Sequence, residues 1–188
     1  MLTPHATASR IRRDGLILLL TLLTLGSTRA NDTPQFENSL KAALVYKIMA
    51  YVTWPDSAFS SDVDARFNVC GYGENPLEGA LTSLAARQAA GPQIALYKLN
   101  GEKPAAQLCH LLFVGDVEDF ESALELTRDQ PTLTISDAEA FAAGGGMIEI
   151  RKTRNSFGFL INRDAALDAN LMIAAPLLEL STVVGGNR

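Results

Sequence analysis

From residue 36 the apolar positions recur every three or four residues: Phe36, Leu40, Ala43, Leu44, Ile48, Tyr51 and Val52. That spacing predicts a helix of about five turns with this face inward. Thr33-Pro34 supplies a hydroxyl cap followed by proline at the first helical position, and Trp54-Pro55 ends the pattern. Residues 56–64 are small and polar and read as a loop.

Beyond the loop the pattern alternates. Short β-rich runs at 67–72, 93–99, 111–114 and 132–135 predict strands, and 77–87 and 117–128 carry a helical period. In the second of these helices Phe120, Leu124 and Leu126 face inward. Residues 104–108 allow one helical turn, and Asp137 is placed to cap a short helix through Ala143. Strands alternating with helices at this spacing predict a mainly parallel sheet covered on both faces. Gly144-Gly145-Gly146 then breaks the rhythm as a turn. The runs 147–151 and 157–161 follow it as an antiparallel hairpin on the sheet edge. Residues 163–169 and 176–183 read as closing helices, and the tail is expected to fray. The expected fold is a three-layer α/β/α sandwich.

Residues 1–30 read as a secretory signal. Arg10, Arg12 and Arg13 precede the apolar run 16–25, and Thr28-Arg29-Ala30 offers small residues where a signal peptidase cuts. The alternative is an uncleaved anchor, although the run is about half the length that spans a bilayer. Cleavage after Ala30 would leave residues 31–188 as one periplasmic domain. The whole chain carries 16 basic and 21 acidic residues, a formal charge of −5. Loss of the leader's four Arg and one Asp deepens that to −8, which argues against nucleic acid and anionic lipid as partners. No segment after the leader is long and apolar enough to span a membrane.

Two histidines, one of them in the leader, exclude a multi-histidine metal centre. His110 beside Cys109 is a poor catalytic pair, since neighbours in a strand point to opposite faces; an exposed histidine at the sheet end is the expectation. In an oxidising compartment Cys70 and Cys109 are expected to pair, closing a loop of about 40 residues. Two buried free thiols are the alternative. Gly71-Tyr72-Gly73 lacks the third glycine of a dinucleotide fingerprint and reads as a tight turn. Glu118, Asp119, Glu121 and Glu125 read as a solvated helix face, with the loop acids Asp62 and Asp64 of the same status. Arg151, Lys152 and Arg154 form the one basic cluster, either an anion site or a charged guard on the hairpin edge. Trp54, at the helix exit, is a candidate partner anchor. No cofactor is implied.

Three places carry a family resemblance. Lys41-Ala42-Ala43 with Tyr46, continuing to Tyr51-Val52-Thr53-Trp54-Pro55, is similar to the opening helix of the YfiR/HmsC-like family. Gly146-Met147-Ile148-Glu149 is similar to the start of that family's hairpin. Phe159-Leu160-Ile161-Asn162, with Ala165 and Ala166, resembles its approach to the final helices. The resemblance implies a periplasmic regulator without catalytic activity, which binds and restrains the periplasmic domain of an inner-membrane diguanylate cyclase. Release would raise cyclic di-GMP and promote biofilm. It also implies redox responsiveness through the long-range pair Cys70–Cys109. Some members have a second, closely spaced pair in the hairpin, whereas no cysteine lies between Gly144 and Ile161 here.

The residues themselves agree with action by binding, because positioned acids, bases, nucleophiles and metal ligands are scarce. The expected contact is an apolar surface made by the end of the first helix with Trp54, and by Leu171, Ile173, Leu177 and Leu178. A homodimer is left open. The rival readings are a periplasmic small-ligand sensor or accessory subunit for another membrane receptor or transporter, an exported α/β enzyme, and a structural subunit of an envelope complex.

Overall fold

A computed structural model describes residues 32–59, 66–87, 93–99, 109–115, 119–154 and 156–185. The leader, the helical turn expected at 104–108, and Asp62, Asp64 and Glu118 lie outside the described residues. The chain divides into two compact units, 1–36 and 37–188. Of the first, only the opening of a helix is described.

That helix, α1 (Asp32–Met49), leads into a two-residue strand, β1 (Val52–Thr53). Its buried side chains are Ala42, Val45, Ile48 and Met49, while Phe36 and Leu40 are exposed. The inward face is therefore rotated from the expected one. The sequence from Leu40 to Val52 is apolar on most of the helix circumference, so periodicity alone could not choose the face.

The main sheet has seven strands in the order β3-β2-β4-β5-β6-β7-β9. They are β2 (Phe67–Tyr72), β3 (Ile94–Leu99), β4 (Leu111–Val114), β5 (Leu133–Ser136), β6 (Ile148–Lys152), β7 (Phe157–Asn162) and β9 (Thr182–Val184). The first five are mutually parallel, β6 and β7 form the antiparallel hairpin, and β9 runs parallel to β7. The helices are α2 (Glu78–Arg87), α3 (Phe120–Leu126), α4 (Arg163–Asp168) and α5 (Ala175–Glu179).

Alternate strand residues feed two cores, as the two-residue repeat of a strand requires. On one face Val69, Leu111, Phe113, Leu133, Ile135, Ile148 and Ile150 pack with residues of α1, α2 and α4. On the other, Cys70, Leu112 and Val114 pack with Ala123 of α3 and with Phe141. The α/β sandwich is as expected, with a parallel body and an antiparallel hairpin.

Three local expectations fail. The hairpin is not the edge, because β9 covers β7. Residues 176–183 are not one helix: α5 ends at Glu179, and the β-branched run Thr182-Val183-Val184 takes the strand instead. No helix follows Asp137. Its carboxylate is taken by Lys41 at 2.6 Å, and the nearby turn uses Ser136, whose hydroxyl accepts from the Ala138 N–H at 3.0 Å. The glycine turn does form, with Gly145 at φ 106°. A Cβ at Gly144 would lie 2.6 Å from the Phe120 ring, and one at Gly146 would lie 2.2 Å from Phe141. Close ring packing therefore demands glycine at both positions.

Candidate functional site

The parallel order β3-β2-β4-β5 puts the reversal of strand order between β2 and β4, where open α/β sheets usually bind ligands. Here the carboxyl end of that crevice is closed by backbone. The Gly115 N–H donates to the Tyr72 carbonyl at 2.8 Å, and a Cβ on Gly115 would sit 1.9 Å from the Glu74 carbonyl oxygen. The Asn75 side chain accepts from the Leu77 N–H, so it caps its own turn. Gly71 and Tyr72, expected in a tight turn, instead finish strand β2, and the turn toward α2 starts at Gly73 with φ 76°.

Just ahead of β4 the chain is pinned twice. Cys70 of β2 and Cys109, ahead of β4, form a disulfide with Cα atoms 5.7 Å apart. Both residues are buried, at 0% and 2% exposure. His110, expected to be exposed, is 4% exposed. Its ring stacks on Phe59 at 4.6 Å between centroids and tilts against Phe67 at 5.0 Å. The Asn68 N–H donates to Nδ1 at 2.8 Å, which leaves Nε2 to donate to the Ala58 carbonyl at 3.0 Å. Burial pushes the imidazole below its ordinary pKa, opposed by the bond to Ala58, so it is held neutral in one tautomer. Trp54 completes the knot: its indole N–H donates to the His110 carbonyl at 3.1 Å, and its ring meets Phe67 edge-on at 5.0 Å. Every polar atom of His110 is thus used structurally. The tie it forms joins the segment after α1 to β2 and β4.

The basic cluster is largely neutralised from within. Arg151 donates to Glu149 at 2.6 Å, and Glu149 is 1% exposed and also accepts the Ala142 N–H. Lys152 pairs with Glu37, whose carboxyl the Lys152 bond holds below the usual range. Lys41 joins the same network through Glu37 and Asp137. Burial lowers the Lys41 pKa on its own account, but the bond and charge of Asp137, with Glu37, carry it above the ordinary value. Such a cluster guards and braces the hairpin better than it grips an anion.

The carboxy-terminal segments meet the end of α1 through a second, two-stranded sheet. Val52 pairs with Ile173 and Thr53 with Met172 of β8 (Met172–Ile173), and the Ala174 N–H donates to the Tyr51 carbonyl at 2.8 Å. The residues expected to face a partner divide by depth here. Leu171 and Leu177 are buried in the core, while Trp54, Ile173 and Leu178 are half-buried against it. The exposed apolar side chains on these segments are others: Tyr51, Leu167, Met172, Leu180 and Val183. Periodicity marked these segments as apolar but could not tell core from surface within them.

Among the described residues there is no group of three metal-binding side chains and no helix long and apolar enough to cross a membrane. The sequence profile of the YfiR/HmsC-like family matches residues 38–182. The chain belongs to the YfiR/HmsC-like family. That match runs from α1 to the first residue of β9, and so takes in the disulfide, the His110 knot and the β1–β8 pairing. Curated proteins give no significant match to the chain.

Proposed function

We propose that this YfiR/HmsC-like protein is an exported, non-catalytic regulator. It binds the periplasmic domain of an inner-membrane diguanylate cyclase and holds it in its less active state, which lowers cyclic di-GMP and biofilm formation. Family membership supports this reading, together with the signal-like pattern of residues 1–30.

The observation that carries it is the apolar surface around the β1–β8 junction. Met172 is 61% exposed and Tyr51 42%, close in sequence to Trp54, whose indole N–H the His110 carbonyl holds. Large exposed apolar side chains on a braced framework suit protein recognition more than chemistry. The only histidine among the described residues is committed to structure. To move a cyclase from 1:99 to 99:1 between states, the regulator must prefer one state by about 5.5 kcal/mol. A few buried anchors can supply that.

The test is a pull-down of the cyclase's periplasmic domain by the wild-type chain and by the variant Tyr51→Glu/Met172→Glu. Retention by wild type and loss by the variant, with unchanged circular dichroism, is the expected result. Equal retention would remove this surface, and no retention by either would remove the partner.

A further inference from the structure

The sulfur atoms of the described residues are not equally placed. Cys70 and Cys109 are joined in the disulfide and buried, so no thiol is present to meet an oxidant first. Met49 is 8% exposed and Met147 7%, both packed in the core, whereas Met172 is 61% exposed. Among the described residues Met172 therefore carries the one sulfur open to solvent.

The backbone keeps it there. Thr53 is the partner of Met172 in the β1–β8 pairing, Val52 lies opposite Ile173, and the Ala174 N–H donates to the Tyr51 carbonyl at 2.8 Å. Strand alternation sends Leu171 inward and Met172 outward, and Thr53 opposite is itself exposed. The thioether is thus displayed from a paired segment, on the same surface as exposed Tyr51.

A thioether that a peroxide can reach is converted to the sulfoxide. The sulfur lone pair attacks a peroxide oxygen, an S–O bond forms as the O–O bond breaks, sulfur loses two electrons and the peroxide leaves as water. Two thiols of a sulfoxide reductase reverse the step: sulfur regains the electrons, the oxygen leaves as water and the thiols join as a disulfide. The sulfoxide is a polar acceptor, which is stable in water and costly to bury in an apolar contact.

We propose that Met172 is a peroxide-oxidised site, and that its oxidation reversibly weakens docking through the β1–β8 surface. The effect on docking rests on the regulatory reading above, whereas selective oxidation is a property of the isolated chain.

The test treats the purified chain with hydrogen peroxide, stops the reaction with catalase, maps the product by peptide mass spectrometry and titrates it calorimetrically with the cyclase's periplasmic domain. Met172 should gain one oxygen well before Met49 and Met147, and in urea all three should react alike. Oxidation should weaken docking by about tenfold, because the sulfoxide must shed water to enter the interface. Met172→Gln, which mimics the polar product, should weaken it to a similar degree, and reductase treatment should restore the oxidised wild type. Met172→Leu, referred to its own untreated affinity, should lose the response to peroxide. Oxidation of Met49 or Met147 as fast as Met172 in the folded chain, or equal affinity before and after Met172 is oxidised, would overturn the proposal. Absence of docking by the untreated chain would count against the regulatory reading and the switch together, and the peptide map alone would then decide the oxidation site.

Discussion

Replacing His110 by phenylalanine tests the knot at its centre. The aromatic ring keeps its place between Phe59 and Phe67, so little packing changes, but both ring hydrogen bonds vanish. The Asn68 N–H and the Ala58 carbonyl then lose their partners. Orphaning a buried polar group costs about 1–3 kcal/mol, and Asn68 is the less buried of the two, so the sum is about 2–4 kcal/mol. The same variant carries a pH signature. The unfolded imidazole takes up its proton through about pH 6.5, whereas the folded one, depressed by burial, resists it. The wild type therefore has the full contribution above 6.5 and loses it as pH falls toward the folded value. Urea unfolding at pH 8 and pH 5.5 measures both effects. His110→Phe should be less stable at pH 8 and lose less than the wild type on acidification. Equal stability at pH 8, or an unchanged acid response, would show that the ring nitrogens are not what ties these segments.

Loss of the disulfide in Cys70→Ala/Cys109→Ala should cost about 4 kcal/mol for a closed loop of 39 residues, read from equilibrium unfolding. Because both cysteines are buried, reduction of the native protein by glutathione should track its opening rate, measured by quenched mass spectrometry across denaturant; reduction at the rate of an exposed disulfide would contradict that burial. Glu149→Ala leaves the Ala142 N–H unpaired and frees Arg151, and should lower stability by about 2–3 kcal/mol in the same assay. The Lys41 contribution, raised by Asp137, is fully present below the ordinary lysine pKa and is lost as pH rises through the folded value. Lys41→Met should therefore flatten the alkaline limb of the stability profile.

Much of this fold was legible because its sheet is built from short, largely apolar runs separated by turn residues. The segments 67–72 and 111–114 form as strands at the expected bounds. What stayed hidden depends on tertiary partners. The face of α1 was ambiguous because apolar residues surround it. The closing strand β9 lay inside an apolar stretch that fits either period, and only the edge left open by β7 decides it. His110 looked like an exposed residue because nothing local signals that Ala58 and Phe59, 52 and 51 positions earlier, will come to cover it. Asp137 had the chemistry of a cap, but Lys41 reached it first. Which apolar side chains of the closing segments stay exposed was the least legible. Leu171 and Leu177 share their apolar character with exposed Met172 and Leu180, and burial is not a property of residue type.

Calorimetric titration of the purified chain into the periplasmic domain of the membrane diguanylate cyclase addresses the central claim most directly. Saturable binding that is abolished by Tyr51→Glu/Met172→Glu in a folded variant is the predicted result. A flat titration with native protein on both sides would contradict it.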